Sequence, residues 1–283
     1  MATDTPAAVA TCSMVDRSAP VEAGVVGGID PQRIRLTPAE YVLPSEYVVR
    51  RYPAPRTRLS GRLGGVADTR LVEAPVERPA MRGAMHRAAI PVAVVLTVVL
   101  VVRAPSGGER AAVLVYGICL TAMLTVSGIY HSARLAPRER RVLRRLDHAM
   151  ILVGIAGTYT AVIVLALDGT TQAVLLAIAW GLAVVGMAIR MLWLDAPSGL
   201  VAAVYLVAGW QLLLDFPAYA EALNAAETAL LAVGGALYTV GAVVYALKWP
   251  NPWPRVFGYH EVFHTLVVVA ALTHWVAVFL LTA

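Results

Sequence analysis

From Ala88 to the C-terminus, long apolar runs alternate with short polar breaks. The runs are Ala88–Val102, Ala111–Tyr130, Met150–Leu167, Gln172–Leu194, Leu200–Leu214, Thr228–Leu247 and His260–Leu281. Most of them approach the roughly 20 residues that a helix needs to cross about 30 Å of hydrocarbon. The breaks carry helix-ending chemistry: Pro105-Ser106-Gly107-Gly108, Asp168-Gly169, Ala196-Pro197-Ser198-Gly199, Phe216-Pro217 and Pro250-Asn251-Pro252. The pattern predicts an all-α integral membrane protein with seven transmembrane helices, the first and fifth of them short. No internal repeat accompanies the runs, and no paired broken helices of an inverted-repeat transporter stand out.

Composition agrees with this reading. The chain of 283 residues is 59% hydrophobic and 14% charged, where a soluble domain averages about 45–50% and about 25%. Its mean hydropathy of +0.69 is diluted by a polar N-terminal region. Residues 1–85 are rich in Pro, Arg and Ala without a sustained apolar run, and read as a disordered cytoplasmic tail before a seven-helix domain over 86–283. That tail lacks an apolar core followed by a small-residue cleavage site, which argues against a cleaved signal peptide. The tail reads as dispensable, with translation beginning at Met81 or Met85, just ahead of the first run, as the alternative reading. Cys12 and Cys119 are too few and too distant for a disulfide framework or a cysteine zinc site.

The net charge of +5 comes with no nucleic-acid motif, and the basic residues stand beside apolar runs. One side of the membrane collects the tail, Arg134, Arg138, Arg140, Arg141, Arg144, Arg145, Arg190, Lys248 and Arg255, while the other keeps Arg103 and Arg110. The positive-inside rule therefore puts the N-terminus in the cytoplasm and, after seven crossings, the C-terminus outside. The run Arg138–Arg145 reads as a topogenic loop, with anionic lipid contact as a secondary role.

Against that frame, His131 ends the second span, Asp147 begins the third, and His260 and His264 begin the last, all toward the cytoplasmic face. Ionisable groups at such depth are functional candidates by default. His260 and His264 lie one turn apart on one helix face, a spacing that suits two ligands of a single ion. By letters, His260-Glu261-Val262-Phe263-His264 matches the HExxH of metalloproteases, but that motif belongs to soluble domains and this helix is otherwise apolar. His131 supplies a third imidazole, and three neutral nitrogens with one open position polarise a water. Asp147 then orients that water, takes a proton from it, or braces an imidazole. Ser127, one turn before His131, faces the same place. The structural alternatives are a helix N-cap for Asp147 and an interfacial position for a histidine at a helix end. His148 points toward the interface, His274 reads as a hydrogen-bonded packing residue and His86 as solvated. Tyr205, Trp210, Tyr238 and Tyr245 read as packing or belt residues.

Five separated segments carry a family resemblance: Ser127-Gly128-Ile129-Tyr130-His131, Leu146-Asp147-His148, Ile155-Ala156-Gly157-Thr158-Tyr159-Thr160, Gly209-Trp210, and Phe257-Gly258-Tyr259-His260-Glu261-Val262-Phe263-His264. In order and spacing the chain after about residue 85 resembles the hemolysin III branch of the progestin and adipoQ receptor family. The resemblance implies a seven-helix fold in the plasma membrane with a zinc ion near the cytoplasmic side, held by His131, His260 and His264, with Asp147 acting through a water and Ser127 beside it. Kinship with alkaline ceramidases implies hydrolysis of a membrane lipid amide or ester and a part in lipid homeostasis. One departure stands out: Ala161 follows Thr160 where the family has proline, so the expected kink of the third helix is in question. Two rival functions share these residues. One is a non-enzymatic lipid sensor braced by zinc; the other is a pore-forming cytolysin, for which no helix offers the repeated polar stripe of a conducting path.

Overall fold

The computed structural model describes residues 79–133, 135–193, 196 and 198–283. The tail predicted to be disordered falls outside the described residues up to position 78, as does Arg134. Among the described residues the architecture is all-helical: α1 Ala84–Arg103, α2 Gly107–Ser132, α3 Pro137–Ala166, α4 Gly169–Leu192, α5 Ser198–Gly209, a 3-10 turn Gln211–Asp215, α6 Phe216–Ala222, α7 Ala225–Leu247 and α8 Tyr259–Leu281. Six of these, α1 to α4, α7 and α8, are long and apolar enough to cross a membrane. Their outward faces carry bare valines such as Val95, Val102 and Val185, a surface that lipid tails cover and water does not.

Helix starts follow local chemistry. Ser106 and Glu109 form a reciprocal capping box at α2, with Ser106 Oγ accepting from the Glu109 amide at 3.2 Å and Glu109 Oε2 accepting from the Ser106 amide at 2.8 Å. At α3, Pro137 occupies the first turn and Glu139 Oε2 accepts the Ala136 amide at 3.0 Å. This start lies ten residues before Asp147, so most of the arginine-rich stretch expected to be a loop is helix, and Asp147 is not an N-cap. Arginine and leucine are good helix formers, and the proline and glutamate give them a defined beginning. Through Ala161 the helix continues unbroken to Ala166.

The fifth predicted span is interrupted. α5 ends at Gly209, and the exposed backbone of the break is met by one side chain of α3: Tyr159 Oη donates to the Gly209 carbonyl at 2.7 Å and accepts the Leu212 amide at 3.1 Å. The Tyr159 hydroxyl thus replaces helical bonds lost at the break. Higher along α5, Tyr205 Oη donates to the His148 carbonyl at 2.9 Å, so α5 runs alongside α3 from the level of His148 to that of Tyr159.

Packing divides into a large core and two smaller ones. Leu100, Val113, Tyr116, Ile163, Leu175, Tyr219, Leu231 and Val278 fill the end of the bundle farther from His131. Ala93, Met123, Leu124 and Val267 join α1, α2 and α8, and Leu152, Ala156, Ala183 and Ala208 join α3, α4 and α5. Small residues let backbones approach closely, as membrane helices require without a hydrophobic drive between them. A Cβ on Gly157, for example, would meet Cys119 Cβ at 2.5 Å.

Candidate metal centre

The ends of several helices converge on one cluster of ionisable side chains. α2 brings His131 in its last turn, α3 brings Asp147, and α8 brings His260 and His264 from its first two turns. The three histidines are buried. One nitrogen from each lies within 4.8 Å of the other two. Ring centroids are 4.5 Å apart for His131 and His260, 4.6 Å for His260 and His264, and 5.0 Å for His131 and His264. Asp147 Oδ2 stands 3.7 Å from His131 Nε2, and the buried Ser127 is within reach of the same carboxylate. The five residues singled out in the sequence thus meet in one place although up to 137 positions separate them, from Ser127 to His264.

This cluster has the stereochemistry of a cation site. His131 Nε2 and His260 Nε2 face each other at 3.2 Å, near the roughly 3.3 Å that separates two nitrogens bound tetrahedrally at about 2.0–2.1 Å. His264 Nδ1 is buried with no hydrogen-bond partner, an arrangement that costs stability unless something outside the chain completes it. Three imidazole nitrogens with a carboxylate alongside form a donor set that suits a borderline-soft divalent ion such as zinc. The buried group of His131, His260 and His264 is therefore fit to hold a metal ion.

Glu261, the acid between the two α8 histidines, is turned to structure. Its Oε1 accepts from Arg82 Nε at 2.6 Å and its Oε2 accepts the Gly258 amide at 2.9 Å. With both oxygens engaged, it does not serve the cluster as the base that the letters HExxH suggest.

His86 departs from the sequence reading. Expected to be solvated before the first span, it is 4% exposed and stacks on His264 with ring centroids 3.9 Å apart and planes 26° from parallel. The cause is the start of α1, one turn earlier than the apolar run suggests. Gly83 begins it with φ of 73°, in the left-handed region that favours glycine. The amides of Ala80 and Met81 donate to the carbonyls of Arg255 and Val256 at 3.0 and 3.2 Å, which ties the approach to α1 beside the approach to α8. The legible signal was the spacing of Arg82 and His86, one helical turn apart at the same membrane face as the other histidines.

His274 lies deeper and apart from the cluster, with Nε2 3.1 Å from the Leu231 carbonyl. His148 is half-buried and its Nδ1 is 2.6 Å from the Arg144 carbonyl.

Comparison with known families now fixes the kinship: the family described as haemolysin-III related matches residues 75–275. The chain belongs to the haemolysin-III-related family. Among its relatives, a hemolysin-3 homolog of Bacillus subtilis (strain 168) is 29% identical over 163 residues, 58% of this chain and 73% of the relative. The hemolysin-3 of Bacillus cereus is 29% identical over 171 residues, 59% of this chain and 75% of the relative. No solved structure matches the chain. With its apolar helices, this haemolysin-III-related chain is a multi-pass membrane protein. Two of the segments that carried the resemblance meet at the break after α5, where Tyr159 bonds Gly209.

Proposed function

We propose that this haemolysin-III-related protein is a zinc-dependent hydrolase of a membrane lipid amide or ester, with His131, His260 and His264 as the metal ligands. The observation that carries the reading is the set of three buried imidazoles within 4.8 Å of one another, with a carboxylate 3.7 Å from one of them and outside the set. Three protein ligands leave a coordination position open, as catalytic zinc sites do and structural ones do not. Zinc held there would polarise a carbonyl and bring the pKa of a water toward neutrality. Asp147 takes the proton of the attacking water and passes it to the nitrogen or oxygen that leaves the acyl carbon. Ser127, buried beside that carboxylate, orients the water or the acyl oxygen by a hydrogen bond. A lipid fits as substrate because the cluster is enclosed by helices whose outer faces are apolar.

The topology that goes with this reading has seven passes and the N-terminus in the cytoplasm, with the tail predicted from the sequence ending before α1 rather than at residue 85. Support comes from the cluster itself. The end of α2 and the start of α8 share one side, so the chain between them returns to that side. α3, α4 and α7 are three full passes, and one more crossing balances the path. α5, the 3-10 turn and α6 supply it, with a combined length near 38 Å at about 1.5 Å per α and about 2.0 Å per 3-10 residue.

The test is to purify the protein in mild detergent and measure bound metal and the release of fatty acid from ceramide and phospholipid substrates. Wild type should carry one zinc per chain and turn over a lipid. His260→Ala should lose the metal, and Asp147→Ala should keep it at saturating zinc while losing turnover. A folded wild type without metal would overturn the reading. A second reading rests on the ion pair Arg82–Glu261 and the stacked His86 and His264, which tie α1 to α8 at the same level. In it zinc braces helix ends and lipid occupancy shifts a conformation, and wild type then binds metal without turning over any lipid.

A further inference from the structure

His86 is a fourth imidazole at the cluster, and the hydrolytic mechanism gives it no part. Its ring is 4% exposed, lies against His264 at 3.9 Å, and has no hydrogen-bond partner at either nitrogen. A neutral imidazole carries one donor and one acceptor. Leaving both without a protein partner at a buried position is unfavourable, while a phenyl ring would stack there without that penalty. The nitrogens are therefore the feature to explain, and no side chain or carbonyl of the described residues satisfies them.

His86 is not a member of the ligand set. The nitrogens that lie within 4.8 Å of one another belong to His131, His260 and His264. Stacking sets the His86 ring alongside His264, with the planes 26° from parallel, whereas His131 stands at 76° to His264. The position is also imposed from outside the ring. Arg82, one turn earlier, is fixed on Glu261 at 2.6 Å. Gly83 sits so close to α2 that a Cβ there would meet His131 Cβ and Ser132 Oγ at 2.9 Å. α1 is thus held against both ligand-bearing helices.

We infer that His86 is a positioning residue of the metal centre: its ring fixes the plane of His264, and a free nitrogen hydrogen-bonds an oxygen-donor ligand, the carbonyl or carboxylate of an acyl compound, admitted beside the three imidazoles. This rests on the reading of the cluster as a metal site. It adds a protein contact for the acyl oxygen beyond that of Ser127, from a helix that carries none of the other site residues.

The experiment separates ring from nitrogen. Full-length wild type, H86F and H86Q are purified in mild detergent, loaded with Co(II), and titrated with acetohydroxamate while the visible spectrum of the metal is followed. Zinc affinity is measured in parallel by competition with a chromogenic chelator. H86F keeps the stacked ring and should hold one metal per chain with near wild-type affinity, yet bind acetohydroxamate about tenfold more weakly, the scale of one lost hydrogen bond. H86Q keeps a polar group without the ring and should show the converse, with zinc affinity lower by about tenfold or more and hydroxamate binding closer to wild type. The inference is overturned if H86F binds acetohydroxamate as wild type does, or if it loses the metal, which would make His86 a ligand. A variant that does not elute as a monodisperse species is set aside, and the other decides. Absence of metal from folded wild type defeats the metal-site reading itself, a result distinct from any difference among the variants.

Discussion

Arg82 and Glu261 lie 179 positions apart in sequence and 2.6 Å apart in space, their side chains 16% and 1% exposed. The pair joins the start of α1 to the start of α8 on the side where His260 and His264 emerge. Removing either partner strands the other, and for a buried carboxylate that penalty is about 3–5 kcal/mol. R82A should therefore lower the apparent melting temperature in detergent by several degrees, while R82M/E261L loses less than R82A because no charge is left behind. Thermal unfolding followed by fluorescence checks this, with E261L alone as the reference for the Gly258 amide that Glu261 also accepts, and an R82A no less stable than wild type would remove the ion pair as a source of stability.

Asp147 stands 3.7 Å from His131 Nε2, outside the group of three imidazoles. The carboxylate lies on the side of the Nε2 that faces the other imidazoles, so on the proposed function it reaches a metal-bound water rather than the ion itself. D147N should lower zinc affinity by about tenfold and keep one zinc per chain at saturation. Chelator competition reads the first quantity and mass spectrometry the second. Loss of all metal at saturating zinc would make Asp147 a ligand.

Tyr159 serves both sides of the break after α5, donating to the Gly209 carbonyl and accepting the Leu212 amide. Y159F removes both bonds and leaves two backbone groups without their partner. The expected loss is about 1–3 kcal/mol, with faster hydrogen exchange of the Leu212 amide. Unchanged exchange at that amide would mean that the break is held in another way.

Gly234 makes room for His274. A Cβ there would lie 2.2 Å from the His274 ring, whose Nε2 is 3.1 Å from the Leu231 carbonyl one turn earlier on α7. G234A should destabilise the protein by about 1–3 kcal/mol, and G234A/H274A should recover part of that. A double variant no better than G234A would place the clash on the α8 backbone.

Hydropathy made the long helices legible, because each of their cores is an unbroken apolar run. It failed at their ends. The first turn of α1 holds Arg82, Gly83, His86 and Arg87 around it and reads as tail, yet main-chain bonds to Arg255 and Val256 hold that segment in place. The first ten residues of α3 read as a basic loop, although Pro137 and Glu139 start a helix there. The break after α5 was invisible because Leu212, Leu213 and Leu214 continue the apolar run through it.

In the site, His131, His260 and His264 were legible because an ionisable group in an apolar helix is itself a signal. The i, i+4 spacing then pairs two of them without any tertiary knowledge. His86 was missed, because its burial depends on α1 beginning one turn ahead of the apolar run. The part played by Glu261 was hidden too, because its partner comes from the opposite end of the described chain.

The length of α3 sets the depth of the chemistry. From Asp147 to Ala166 the helix rises about 28 Å, close to the roughly 30 Å of a bilayer's hydrocarbon, and Pro137–Leu146 project beyond it. If that stretch spans the hydrocarbon, as the proposed topology has it, Asp147 and the imidazoles around it stand at the level where acyl chains join their headgroups. On the proposed function, a lipid would bring its amide or ester linkage to them by sliding sideways within its own leaflet, without being lifted out of the bilayer.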